Sequence, residues 1–194
     1  MSEEGELVSK EFVSKKRKLK IIDIFSPNIC DEKIEVDIGY IGKNIKEVLR
    51  KRLAEKFEGT CCRYGYVKQD SLSILNYSAG IIEDNKIIFT CTIEMLVCLP
   101  VEGMIIECQA KNITKAGIRC ESKDSPSPVV VFIARDHHFK MKEFAQLNVD
   151  DEITVRVIGI RYELNDEYIS VIAELVTSRK PKKKPIKIII KSKK

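Results

Sequence analysis

The sequence is poor in the patterns on which catalysis and metal binding depend. Its two histidines, His137 and His138, are adjacent and have no spaced cysteines or carboxylates around them, so a metal site lacks its donor set. No C-x-x-C spacing occurs among the seven cysteines (Cys30, Cys61, Cys62, Cys91, Cys98, Cys108, Cys120), and most sit among β-branched neighbours, which predicts buried free thiols. There is no phosphate-cradling Gly-rich loop, no Gly-x-Ser-x-Gly and no evident Cys/His pair. The acidic run Asp150-Asp151-Glu152 has no second cluster to make a two-metal site and reads as a solvated turn. A small nuclease is thereby disfavoured, and no cofactor or metal is expected. No uncharged apolar run approaches the ~18 residues of a spanning helix, and the start Met-Ser-Glu-Glu-Gly-Glu is acidic where a secretory leader needs positive charge. The expectation is an intracellular, soluble protein without a membrane partner.

What is present is ordinary globular composition with uneven charge. Across 194 residues, 34 Lys and Arg face 29 Asp and Glu for a net +5, with 44% hydrophobic and 32% charged residues, enough for one domain or two small ones. Residues 179–194 hold nine cations and no acid, which leaves residues 1–178 at −4. A like-charge run with two prolines does not pack, so it reads as a solvated extension, an import-like patch or a phosphate-contacting tail. Within it, Ile188-Ile189-Ile190 favours an extended form able to add to a partner's sheet edge. Residues 1–20 lack steady periodicity and read as a flexible arm.

From residue 21 the periodicity is legible. Ile21 to Phe25 is an apolar run stopped by Ser26-Pro27-Asn28, and Lys33 to Ile38 alternates with period two, which predicts two strands. Asn44 followed by Glu47 resembles a capping box, and Ile45, Val48, Leu49, Leu53 and Phe57 then recur at helical spacing until Glu58-Gly59. The helix's other face, with Lys43, Lys46, Arg50, Lys51, Arg52 and Lys56, reads as solvated. Strands are predicted at Cys61–Lys68, Ser71–Ser78 and Lys86–Leu99. After the Pro100-Val101-Glu102-Gly103 punctuation come five more, near Met104–Lys111, Gly117–Ser122, Val129–Ala134, Glu152–Arg161 and Tyr168–Val176, with room for a helical turn or two in 137–147. Five short strands with a long connection after the third suit a closed Greek-key barrel of the OB type. The fold class is therefore an α+β N-terminal domain, an antiparallel sheet with one main helix, followed by an all-β five-stranded barrel. The divisions are 1–20, 21–100, 101–178 and 179–194.

An OB barrel holds single-stranded nucleic acid with cations along the backbone and flat side chains under the bases. The candidates here are Lys115 and Arg119 around the first hairpin, Phe132 on the third strand, and Arg135, His137, His138 and Lys140 after it. Alternation points Arg119 outward. Phe132 sits in Val129-Val130-Val131-Phe132-Ile133 and reads equally as core or as stacking platform.

Ile41-Gly42, Ile45, Leu49 and Leu53, then Phe57-Glu58-Gly59-Thr60-Cys61 and Tyr64-Gly65-Tyr66-Val67, followed by Ile87–Leu99 and Pro100-x-x-Gly103, together resemble the stalk subunit of DNA-directed RNA polymerases over about residues 21–176. This family comprises the seventh-largest subunit of eukaryotic polymerase II and its archaeal E′ counterpart. The resemblance implies a non-catalytic subunit whose tip domain docks on the polymerase core, with Gly42, Glu58, Gly59, Gly65 and Tyr66 shaping it. It also implies a barrel that meets nascent RNA, a small helical stalk partner, and location in the nucleus. The 28 Ile and 25 Lys suit an AT-rich genome such as that of a large DNA virus, for which the site of action is the viral factory or virion. Two departures stand out. Gly117 is followed by Ile118 where an aromatic is frequent, and Ala134-Arg135 stands where a histidine is frequent. The alternative class is a free OB-fold RNA-binding regulator associated with translation or RNA decay.

Overall fold

The computed structural model describes residues 23–42, 44–138 and 141–179. They are mostly β, with few helices. The first half contains β1 (Phe25–Asp37), a 3-10 turn (Ile38–Tyr40), α1 (Ile45–Phe57), β2 (Cys61–Cys62), β3 (Gly65–Val67), β4 (Ser73–Tyr77), β5 (Ile81–Glu83) and β6 (Lys86–Cys98). The second contains β7 (Ile105–Ile113), β8 (Gly117–Glu121), β9 (Val129–Ala134), α2 (Lys142–Ala145), β10 (Glu152–Arg161) and β11 (Ile169–Arg179).

β6 is the spine of a six-stranded antiparallel sheet. One of its edges carries β1 from Phe25↔Cys98 to Asp37↔Lys86, and the other carries β5, β4 and β3 in turn. Along β6 the residues Phe89, Cys91, Ile93, Met95 and Val97 alternate inward and pack with Leu49, Leu53 and Phe57 of α1. Burying each such side chain stabilises by roughly 1.5–3 kcal/mol. The helix stops where Glu58 turns extended and Gly59 takes φ +76°. The Glu58 carboxylate then accepts hydrogen bonds from the backbone N–H of Leu72 at 2.9 Å and Asp70 at 3.2 Å, tying the helix exit to the approach to β4.

Four details differ from the sequence reading. Ser26-Pro27-Asn28 does not stop a strand but lies inside β1, because β1 is an edge strand and Pro27 has no inner ladder bond to forfeit. The stretch 61–68 is not one strand but the hairpin β2–β3, pairing Cys61↔Tyr66 and Cys62↔Gly65. β5 forms from Ile81–Glu83, a segment with too few residues to show periodicity. Asn44 makes no side-chain cap; its carbonyl oxygen accepts from Glu47 and Val48 instead.

The last five strands close into a barrel in the order β7-β8-β9-β11-β10, returning to β7. Every pairing is antiparallel except β9 with β11, which run parallel. Closure removes the unpaired edges that a five-stranded open sheet would expose. Ile106, Cys108, Ile118, Cys120, Val131, Ile133, Ile153, Val155, Val171 and Ala173 fill the interior, and α2 closes one end with Phe144 while Leu147 follows it into the core. Sheet and barrel share a packed junction. Cys61, Tyr66 and Cys98 belong to the barrel's apolar cluster. The Cys61 N–H donates to the Asp166 carbonyl, and the Asn165 N–H donates to the Cys61 carbonyl, both at 2.8 Å. All seven cysteines are free; six are buried and Cys30 is half-buried.

Candidate nucleic-acid interface

The outer face of β8 and β9 settles which way Phe132 points. Val129, Val131 and Ile133 face inward, so Phe132 faces out, 38% exposed, directly across the ladder from Arg119. A Cβ on Gly117 would lie 2.8 Å from the Phe132 ring and 2.3 Å from the Ile133 carbonyl oxygen. The glycine therefore lets the ring lie down over β8. Ile118, where such barrels frequently carry an aromatic, is core, and the flat surface comes from the neighbouring strand instead. On the other side Phe132 pairs with Ile172 of β11, which is 53% exposed and widens the apolar strip. Ile172 escaped the sequence reading because alternation alone does not say which strand lies beside which.

Cations border the strip. Arg119 is held by Glu121 at 3.3 Å on the exposed surface. The Arg135 guanidinium donates to the Thr114 carbonyl at 3.0 Å while its N–H donates to the Ala116 carbonyl at 3.0 Å, so the β7–β8 turn with Lys115 is fastened to the end of β9. Lys115 and Arg135 are thus brought together, and Arg119 and Phe132 sit on the adjoining face. His138 is not part of this surface. It is 3% exposed, its Nδ1 lies 2.8 Å from the Ala134 carbonyl oxygen, and its Nε2 accepts the Leu175 N–H at 2.9 Å. Both ring nitrogens are committed, and the ring stacks on Phe144 at 5.3 Å. The RNA-contact role expected of His138 is corrected to a structural one. Lys140 lies outside the described residues, as do residues 1–22 and 180–194, which hold the predicted arm, Ile21-Ile22 and nearly all of the tail.

Of the residues assigned to the sheet half, Gly65 has φ +112° and a Cβ there would meet the Cys98 carbonyl oxygen at 2.5 Å. Tyr66 is buried against the barrel core. Glu58 and Gly59 form the helix exit described above. Gly42 is exposed with nothing within 4 Å of a Cβ. A feature missed by sequence reading lies at the end of the sheet farthest from the junction: Ile38, Tyr40, Ile41, Ile81 and Ile82 are all exposed there, with Ile81 and Ile82 at 65% and 70%. Ile82 pairs with Ile87, which pairs with Val36, so these isoleucines share rows with the end of β1.

The chemistry of the thiols is quiet. Burial, with a lesser push from Asp166, raises the Cys61 pKa to about 11, and burial raises that of Cys98 to about 12. Neither is a nucleophile at neutral pH. Among the described residues no three His, Cys, Asp or Glu converge on a metal position, and no helix is long and apolar enough to cross a membrane.

The described residues thus form a closed five-stranded barrel with an outward aromatic strip and bordering cations, packed against a sheet-and-helix unit with an apolar end. Comparison with known chains narrows this. No family model matches the sequence. It is similar to DNA-directed RNA polymerase II subunit RPB7 of Glycine max, at 23% identity over 77% of this chain and 97% of that one. It is also similar to DNA-directed RNA polymerase II subunit 7 of Arabidopsis thaliana, at 24% over 70% of this chain and 84% of that one. The chain named "Putative DNA-directed RNA polymerase subunit L376" of Acanthamoeba polyphaga mimivirus matches at 26% over 69% of this chain and 72% of that one.

Proposed function

We propose that this chain is a non-catalytic stalk subunit of a DNA-directed RNA polymerase, docking through its sheet half and holding nascent single-stranded RNA on its barrel. The observation that carries the reading is the extent of similarity. A match over 77% of the chain reaches into both sheet and barrel, which supports a role that uses the two together. The strand order β7-β8-β9-β11-β10 with one parallel pair supports an OB-type barrel, whose second and third strands, here β8 and β9, form the usual oligonucleotide face.

The division of labour follows from the two surfaces. The exposed Ile38, Tyr40, Ile41, Ile81 and Ile82 make the sheet's far end the docking surface for core polymerase subunits, because burying that apolar end is favourable and leaving it in water is not. Phe132 supplies a flat ring on which a base stacks, worth about 1–3 kcal/mol, while Lys115, Arg119 and Arg135 contact phosphates. A small helical stalk partner completes the complex, which acts in the nucleus, or in the viral factory or virion for a viral polymerase. The relatives come from plants and from a virus.

The test is affinity purification of the tagged full-length chain from its native cell or infected host at moderate salt. Recovery of the two largest polymerase subunits in stoichiometric amount is expected. Recovery of RNA or ribosomal components without polymerase would overturn the reading in favour of a free RNA-binding regulator.

A further inference from the structure

The outward side chains of the barrel line up in rows across its strands, and one row is unlike its neighbours. Arg119 of β8 pairs with Phe132 of β9, Phe132 with Ile172 of β11, and Ile172 with Gly159 of β10. The register of β10 against β11 slips between Val157 and Gly159, so Ile158 is an extra residue there. A bulge of this kind sets two consecutive residues against one on the partner strand. Ile158 is accordingly turned out beside Ile172, 47% exposed, while Val157 stays in the core. The row Arg119, Phe132, Ile172, Ile158 crosses four strands, about 14 Å at the usual strand spacing. It does not continue the other way, because the β7 positions paired with Glu121 and Arg119 are Gln109 and Asn112, both polar.

Arginine frames this row. All four arginines of residues 101–178 lie on or beside it: Arg119 begins it, Arg135 follows β9, and exposed Arg156 and Arg161 lie on β10 to either side of Ile158. Three of them meet carboxylates on the solvated surface, Arg119 with Glu121 at 3.3 Å, Arg156 with Glu174 at 2.7 Å and Arg161 with Glu163 at 3.3 Å. Pairs at such positions are weak and screened by salt, so a phosphate can displace the carboxylate. The guanidinium fork donates two parallel hydrogen bonds to a phosphate as it does to a carboxylate. An apolar centre with one flat ring, set between arginine forks, has the composition that holds a single strand: bases on the centre and backbone at the margins.

We propose that single-stranded RNA crosses the barrel along this row, with about two or three bases laid on Phe132, Ile172 and Ile158. Its phosphates then run from Arg119 at one end to Arg156 and Arg161 at the other. This rests on the RNA-binding reading of the barrel and gives the strand a direction: off β8 and onto β11 and β10, beyond the two strands of the usual oligonucleotide face. Ile158 becomes a base-contacting residue, placed there by the bulge. Glu121, Glu163 and Glu174 compete with the phosphates for the arginines, so base contact carries most of the affinity. The site therefore selects unpaired RNA, because bases stacked and paired in a duplex are not free to lie on it.

The chain contains no tryptophan, so one placed in the row is a sole fluorescent reporter. The experiment titrates full-length Ile158→Trp and Ile172→Trp with an oligoadenylate of about twelve nucleotides, with Ile29→Trp on β1 of the sheet half as the control. All three positions are exposed, so the substitutions leave the core intact. Both row tryptophans are expected to be quenched and to bind about three- to tenfold tighter than the parent, since a ring replaces an isoleucine under a base. The tryptophan of Ile29→Trp is expected to keep its emission. Phe132→Ala is expected to weaken binding about tenfold. Glu174→Gln, which releases Arg156, is expected to tighten binding about threefold and to steepen the slope of log K against log salt by about 0.7. Binding that Phe132→Ala weakens, but that quenches neither row tryptophan, would overturn the proposal and leave the RNA-binding reading in place. Binding that Phe132→Ala leaves unchanged, or that quenches all three tryptophans alike, would overturn both. An Ile158→Asp chain that loses a polymerase subunit on co-purification yet keeps its RNA affinity would also overturn the proposal, because the row would then be covered by protein.

Discussion

At Gly65 the backbone φ of +112° and the Cys98 carbonyl oxygen, 2.5 Å from where a Cβ would sit, exclude any side chain. Gly65→Ala is expected to destabilise by about 2–4 kcal/mol in denaturant unfolding. Gly42→Ala, in open space, is expected to stay within about 0.5 kcal/mol. His138→Leu removes the acceptor for the Leu175 N–H and the partner of the Ala134 carbonyl, and is expected to cost about 2–4 kcal/mol. The same variant is expected to leave RNA affinity unchanged at temperatures where it is folded, which separates a structural histidine from a contacting one. His138 was misread because its partner Leu175 is 37 residues away, and nothing local signals that a polar ring will be satisfied inside. Phe132 was ambiguous because five consecutive apolar residues hide the alternation that burial then displays.

Elements were more legible than residues. β9 falls at its expected boundaries because an apolar run between turn signals has clear ends, and β10 because period-two alternation is a direct record of one wet and one dry face. α1 was visible for the same reason at period 3.6, and its buried Leu53 makes a test of the sheet half: Leu53→Ala is expected to lose about 2–5 kcal/mol on unfolding. The edge position of β1, which tolerates Pro27, was not visible, since pairing between residues 25 and 98 leaves no local trace. Nor was the exposed far end, where Ile81 and Ile82 belong to a three-residue strand. Ile82→Asp is expected to leave the unfolding midpoint nearly unchanged, because the side chain is in water, while abolishing co-purification with polymerase. A loss of stability instead would mean that this end serves the fold.

For the molecule as a whole, the packed junction couples sheet and barrel, and two of its thiols tie stability to pH. In the folded chain Cys61 and Cys98 titrate at about 11 and 12, against an ordinary value of 9.0. Above pH 9 the unfolded chain gives up thiol protons that the folded chain retains. The stabilisation is therefore complete below about pH 9 and is lost as pH climbs toward 11–12. Cys98→Ala with Cys61→Ala is expected to lessen that alkaline decline, to which the raised Cys108 and Tyr64 also contribute, read as the unfolding midpoint at successive pH values.

The parallel pairing of β9 with β11 also bears on how the protein is made. β11 is the last described strand to leave the ribosome, and without it neither β9 nor β10 has its second neighbour. The sheet half can assemble as soon as β6 emerges, whereas the barrel stays an open ribbon with two sticky margins until synthesis passes residue 179. Chains that stall or are cut short within β11 should be clients of chaperones and proteases rather than weak binders, and quality control of this protein is concentrated in its last described strand.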